Sequence, residues 1–405
     1  MVKLASNLAR LGDENAFAVL ARAAELAAEG RDIINLGIGQ PDFPTPPHIV
    51  EAGVKALREG HHGYTPANGI PALREAVAAD IHRRLGVEVD PGHVVIMPGG
   101  KPTMFFAVLM FAEKGAQIIC PDPGFPIYRS MIDYSEAEAV PLPIREENGF
   151  GFSAEELLGL VNEKTRLIIL NSPANPTGGV TPKEEIDKLV EGLERWPDVA
   201  VLSDEIYGQM TYDGLKHKSL LEYEHMRDRV ILLDGWSKTY AMTGWRLGYG
   251  VWPEALVDHI RRLAVNCHSC VNAATQYAGI AALEGPQDCV AEMVAAFDRR
   301  RAFVAKRMNE VPGIRCAVPK GAFYAFPNIT GTGWNERDLA SALLEQAGVA
   351  TIAGTDFGDH GAGFIRLSCA NSLENIAAAI DRIGAFLAEN AARATAWSRR
   401  PRGLG

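Results

Sequence analysis

Short apolar runs alternate along this chain with amphipathic stretches of helical length. Five of these runs, at 94–97, 117–120, 167–170, 199–203 and 230–233, are dominated by Val, Ile and Leu and contain almost no alternating polar positions. That pattern predicts strands buried on both faces, as in a parallel sheet. Spacers of roughly βαβ length separate most of them, which predicts helices covering both faces of the sheet. Upstream, the apolar spacing predicts a helix over 13–29, with Phe17, Leu20, Ala24 and Ala27 on one face and Gly30 as its stop. Further helices are predicted over about 48–59, about 102–112, through 253–283 up to the break at Gly285-Pro286, and over about 287–309. A later stretch, 364–368, reads as a strand.

Composition adds only bounds. A chain of 405 residues with 47% hydrophobic and 22% charged residues is long enough for two domains with large cores. Its net charge of −10 argues against nucleic acid or an anionic membrane as the main partner, so any anion must be bound by a local arrangement. The N-terminal residues carry no signal-like apolar core, and the most hydrophobic run, 103–112, is about half the length a bilayer requires. Six scattered cysteines read as reduced thiols of a cytoplasmic protein, and Cys267-His268-Ser269-Cys270 as helical core packing rather than a metal or redox pair.

The turns after the strands carry the chemistry. The strand at 230–233 breaks at Asp234-Gly235, and Ser237 and Lys238 follow on a turn, with Arg246 eight residues beyond Lys238. A lysine amine at the mouth of a sheet, flanked by a hydroxyl and a guanidinium suited to a phosphate dianion, suggests a Schiff base with pyridoxal phosphate. The other strand ends deliver Gly99-Gly100-Lys101 at a helix start, Phe125, Asn175 within N-P-T-G, and Asp204 and Tyr207. Open α/β sheets bind ligands at that carboxyl edge, and a glycine turn opening a helix is an anion site. Arg366 sits in an apolar strand, where a charge is costly unless paired.

The segment Ser237 to Gly248, S-K-T-Y-A-M-T-G-W-R-L-G, resembles the signature of the class I/II, fold-type I, pyridoxal-phosphate-dependent aminotransferases. The other motifs fall in that family's order over nearly the whole chain. The resemblance implies an α/β fold, with a large domain built on a mainly parallel mixed sheet and a smaller α/β domain made of both chain ends. Expected boundaries are 1–47 for the N-terminal arm and part of the small domain, 48–285 for the large domain, 286–390 for the rest of the small domain, and 391–405 for a flexible tail. It implies Lys238 as the Schiff-base lysine and proton carrier, Asp204 as partner of the pyridine nitrogen, and Asn175 and Tyr207 on the phenolic oxygen. The resemblance further implies that Phe125 stacks on the ring, and that 320–326, K-G-A-F-Y-A-F, is a strand of the small domain. It implies that Ser237, Arg246, Gly99, Gly100 and Tyr64 of a neighbouring subunit anchor the phosphate, and that Lys101 meets either the phosphate or a substrate carboxylate. Arg366, Gly39 and Asn175 are expected to hold the substrate, and the Asn175-Pro176 bond is expected to be cis. No metal is implied.

The implied function is ping-pong transamination between an L-amino acid and a 2-oxo acid by a homodimer with shared active sites. Glutamate/2-oxoglutarate is expected as one pair and a neutral or aromatic amino acid as the other, because Ala16 and Phe17 stand where small hydroxyl residues help acidic-substrate enzymes. The same constellation serves C–S β-lyases and aminocyclopropane-carboxylate synthase-like enzymes. A regulatory protein with an aminotransferase-like domain needs an added DNA-binding domain, for which too few residues precede Gly39.

Overall fold

The computed structural model of the protein describes residues 2–390; the stretch 391–405, expected to be a flexible tail, lies outside the described residues. Numbered along the chain, β1 (Ile34–Asn35) stands apart. The strands β2 (Val94–Met97), β3 (Gln117–Asp122), β4 (Glu138–Pro143), β5 (Thr165–Asn171), β6 (Ala200–Asp204), β7 (Val230–Gly235) and β8 (Gly248–Val251) form one sheet, ordered β2-β8-β7-β6-β5-β3-β4. All neighbours pair in parallel except β8, which runs antiparallel to both β2 and β7. The five expected strands are thus present, and two more join them.

The two additions were hidden for different reasons. The edge strand β4 carries Pro141 and Pro143, and an edge tolerates prolines that a central strand cannot. In β8 the glycines mask the strand pattern. A Cβ on Gly248 would lie 2.5 Å from the Gly99 carbonyl carbon, so the missing side chain is what lets the turn after β2 pack there.

Alternate residues of each strand feed opposite cores, the period of two that a doubly covered sheet requires. Val230 and Leu232 pack with Leu73, Val77 and Trp236, whereas Ile231 and Leu233 pack with Met104, Ala107 and Ile260. Each such buried side chain contributes about 1.5–3 kcal/mol relative to exposure. The region 253–283 is two helices, Glu254–His268 and Ala273–Glu284, divided at Ser269, which has φ +59. Cys267 is exposed and Cys270 half-buried at this break, so the pair does not pack in a core.

The first long helix, Asn15–Ala28, buries Ala16, Ala23 and Leu26 instead of the expected face. Phe17, Ala24 and Ala27 are exposed, because the stripe that meets the rest of the chain is rotated by about one residue. After the helix Asp288–Asn309 come β9 (Tyr324–Ala325), β10 (Val349–Ala350), β11 (Ile352–Ala353) and β12 (Ile365–Ser368). These form an antiparallel sheet β11-β12-β9, while β1 pairs in parallel with β10. Ile34 and Leu36 share a core with Ile365 and Leu367, so both ends of the chain build this smaller α/β layer. Of the expected strand 320–326 only β9 is regular, and Ala322 bends the chain before it at φ +53. No helix among the described residues is long and apolar enough to cross a membrane.

Candidate active site

Strand register brings the carboxyl ends of the parallel strands to one edge. Asn171 pairs with Asp204, Asp204 with Leu233, and Gly248 with both Gly235 and Met97. At that edge lies a cavity of about 460 Å3, lined also by Tyr324 and Arg366 of the smaller layer.

Lys238 lies on the single helical turn Trp236–Thr239 that follows β7. The turn is pinned by the Asp234 carboxylate, which accepts the Gly235 N–H at 2.7 Å, and by the Trp236 indole, which donates to the Gly279 carbonyl at 3.1 Å. The Lys238 Nζ donates to the Gly39 carbonyl at 2.6 Å. Burial, reinforced by the Arg366 charge, lowers the Lys238 amine to about 8. An amine so placed is a usable nucleophile and base near neutrality.

Arg246 adopts a left-handed conformation at φ +56, and its guanidinium donates to the Thr243 carbonyl at 2.7 Å. That guanidinium lies against the turn after β2: a Cβ on Gly99 would fall 2.1 Å from Arg246 Nη2. Gly100, Ser237 and Arg246 all line the cavity, and Gly99 backs it with φ +95. A hydroxyl, a guanidinium and the N-terminus of the helix Lys101–Phe111 therefore converge, as anion binding requires.

Asp204 is buried at the end of β6. Its carboxylate accepts the Tyr128 O–H at 2.6 Å and the Ile206 N–H at 3.2 Å, yet burial still pushes it up to about 6. Among the described residues it has no ion-pair partner. Tyr128, which the sequence reading missed, is fully buried three residues after Phe125, and nothing local marks it as a partner of Asp204.

Arg366, on β12, donates to Asn175 Oδ1 at 2.8 Å and to the Gly37 carbonyl. Its guanidinium is clasped between the rings of Tyr324 and Phe357, each 4.7 Å away, and its buried Nε has no partner among the described residues. Burial lowers its pKa, so a carboxylate would find a desolvated, preoriented fork there. The Asn175-Pro176 bond is cis, as expected. Gly39 must be glycine, because a Cβ would fall 2.1 Å from the Tyr324 hydroxyl. That hydroxyl also meets the Tyr207 hydroxyl at 2.7 Å. Tyr324, a second residue missed, belongs to the G-A-F-Y segment at 321–324, which pointed to a strand but not to this contact.

Lys101 and Phe125 line the cavity, but Lys101 Nζ donates to Glu14 Oε2 at 2.6 Å and lies 5.3 Å from the centroid of Phe125 and 5.5 Å from that of Phe17. Glu14 is the third residue missed. Ala16 points into the core rather than the cavity, being the first residue of the helix's buried stripe. Tyr64 does not line this cavity and is 94% exposed.

The residues present fit pyridoxal phosphate. A fully buried carboxylate without a cation suits a protonated ring nitrogen, the glycine turn with Arg246 suits the phosphate, and the buried lysine suits the aldehyde.

A mixed, mostly parallel sheet with a lysine turn at its carboxyl edge defines a fold-type I enzyme. The sequence profile of aminotransferase class I and II matches residues 31–383, and the chain belongs to that family of transaminases. It is 40% identical over 361 residues to the aspartate aminotransferase of Pyrococcus horikoshii, covering 89% of this chain and 92% of that protein. It is 37% identical over 369 residues to the aromatic-amino-acid aminotransferase 2 of Thermococcus litoralis, covering 90% of this chain and 94% of that one. In three dimensions it matches the crystal structure of the aspartate aminotransferase of Rhizobium meliloti with a TM-score of 0.91 at 32% identity, over 96% of this chain and 99% of the other.

Proposed function

We propose that this protein binds pyridoxal 5′-phosphate at Lys238 and transfers an amino group between an L-amino acid and a 2-oxo acid, with glutamate/2-oxoglutarate as one pair. The observation that carries this reading is the Lys238 amine, lowered to about 8 by burial, inside a cavity that also holds a carboxylate without a cation and a guanidinium whose Nε lacks a partner among the described residues. When bound, the cofactor supplies an electrophilic carbonyl carbon and a ring that accepts electron density.

The chain's own residues divide the remaining work. Ser237, Arg246 and the Gly99-Gly100 turn hold the phosphate. The Asp204 carboxylate, steadied by the Tyr128 O–H, keeps the ring nitrogen protonated. With its Oδ1 taken by Arg366, Asn175 has only its amide N–H groups to offer the phenolic oxygen, and Tyr207 adds its hydroxyl. Phe125 covers the ring. Arg366 grips the substrate α-carboxylate with its fork, and the Gly39 loop closes on the same group. Lys238 moves the proton at the substrate Cα, a task suited to an amine poised near the working pH.

The exposed Tyr64 ring, outside its own chain's cavity, supports a homodimer in which it reaches the phosphate of the neighbouring site. The two sheet systems support a division at 1–47, 48–285 and 286–390. Free cysteines throughout the described residues suit the cytoplasm. Borohydride reduction of the holoenzyme and peptide mapping test the assignment: the label is expected on Lys238, and a label on another lysine refutes it. Incubation with a panel of amino acids is expected to release the corresponding 2-oxo acids.

A further inference from the structure

Glu14 has no part in the chemistry above. It precedes the helix Asn15–Ala28 at φ −93 and ψ 95, the position of a capping residue, yet its carboxylate caps nothing there. Instead it reaches across 87 positions of sequence to Lys101 Nζ at 2.6 Å, with its side chain only 20% exposed. Both residues line the cavity, and the Glu14 charge is felt at Lys238, Tyr324 and Arg366. Lys101 is 45% exposed, so the pair adds little to stability, and its consequence lies in the cavity it faces.

The charges of the cavity can be assigned one by one. Arg366 is committed to an α-carboxylate, Arg246 to a phosphate, and Lys238 to the reacting carbon. Among the described residues, Lys101 is the remaining cation on the wall, and Glu14 and Asp204 are the two acids that line it. Asp204 is spoken for by Tyr128 and the ring, whereas Glu14 places a carboxylate where the second carboxylate of a dicarboxylic substrate would look for a positive charge. The exposed Phe17 ring beside the pair offers an apolar surface instead.

We propose that Glu14 is a specificity-determining residue that occupies Lys101 in an ion pair and so disfavours substrates with a second carboxylate, shifting preference toward neutral and aromatic amino acids. This rests on the functional reading above, in which Arg366 takes the α-carboxylate. Glutamate and 2-oxoglutarate then bind by displacing Glu14 from Lys101, and their affinity is reduced by that exchange. A neutral side chain leaves the pair intact and packs against Phe17.

Two unreactive carboxylates separate the effects: maleate, with two charges, and 3-phenylpropionate, with one charge and a ring. Their affinities for the holoenzyme are measured by calorimetry. Glu14→Gln is expected to tighten maleate by about tenfold relative to 3-phenylpropionate, because Lys101 becomes available while repulsion disappears. Adding Lys101→Ala to Glu14→Gln is expected to abolish that gain. An unchanged ratio in Glu14→Gln overturns the proposal, as does equal tightening of both ligands, which would mark a general field at Arg366. Failure of the parent reading looks different: Arg366→Ala would then bind both carboxylates as well as the unmodified protein does, and this inference would fall with it.

Discussion

At the scale of single residues, the consequential quantity is the charge on Lys238. Its free-amine pKa is lowered from 10.5 to about 8, first by burial and then by Arg366. In the cofactor-free protein the amine is therefore mostly protonated at pH 7 and mostly neutral at pH 9. The rate of pyridoxal phosphate uptake by the apoenzyme, followed by absorbance, is expected to rise with pH, to be half-maximal near 8 and to level off about one unit above it; a rise continuing to 10.5 would contradict the burial argument. The stability consequence has a definite sign. A lysine whose folded pKa lies below its unfolded value disfavours folding at low pH, and the cost fades as pH rises from the folded value to the unfolded one. At pH 7 it is about 3 kcal/mol, from 10.5 − 8 = 2.5. Apo Lys238→Met is thus expected to resist urea better than the unmodified apoenzyme at pH 7, with the advantage shrinking toward pH 10.5. The cavity thus stores instability at the Lys238 amine.

At the scale of elements, the lysine turn depends on a buried ion network behind it. Arg84, near the end of the helix Pro71–Leu85, meets Asp80 at 2.7 Å, Asp234 at 3.2 Å and the Tyr249 hydroxyl at 3.3 Å. One guanidinium thus ties a helix to β7 and β8 just before the chain turns to Ser237 and Lys238. Asp234 is pushed up to about 6 by burial even with Arg84 beside it. Arg84→Met would leave the buried Asp234 carboxylate without a cation, while Asp80 keeps Arg83, and is expected to cost about 3–5 kcal/mol in urea unfolding at pH 8. The loss should be smaller at pH 5, because an Asp234 deprived of Arg84 titrates higher still and its protonation removes the unpaired charge. Equal losses at both pH values would mean that the side chain matters only by packing.

At the scale of the whole molecule, the question is whether one chain makes a complete site. Tyr64 stands 94% exposed on the segment before the helix Pro71–Leu85, away from the cavity of its own chain. If it serves a neighbouring copy, two defective variants should complement each other. Tyr64→Ala and Lys238→Ala are each expected to be impaired, and refolding them together should restore activity. Each mixed pair then holds one site with both Lys238 and a Tyr64 contributed by the partner subunit. Absence of recovery, with mixed pairs present by mass, would place Tyr64 outside catalysis or within its own site.

The primary sequence determined the five buried strands, the doubly covered sheet and most of the cavity's chemistry. Strands buried on both faces must be apolar at consecutive positions, and the residues just past their ends must be chemically distinctive because ligands bind there. Lys238, Asp204 and Asn175 were legible for that reason and Arg366 as a charge inside an apolar strand, and all four line the cavity. Only the tertiary structure decided the rest. The prolines of β4 became tolerable once it lay at an edge, and the glycines of β8 became necessary once the turn at Gly99 packed on it. The face of the helix Asn15–Ala28 was decided by what it packs against, since more than one stripe of small and apolar residues was available. The contacts of Asp204 with Tyr128, of Gly39 with Tyr324 and of Lys101 with Glu14 span 76, 285 and 87 positions. Local preference encodes where a segment turns and which face it hides. The partner a charge finds is chosen by how the chain returns on itself, and no single segment carries that information.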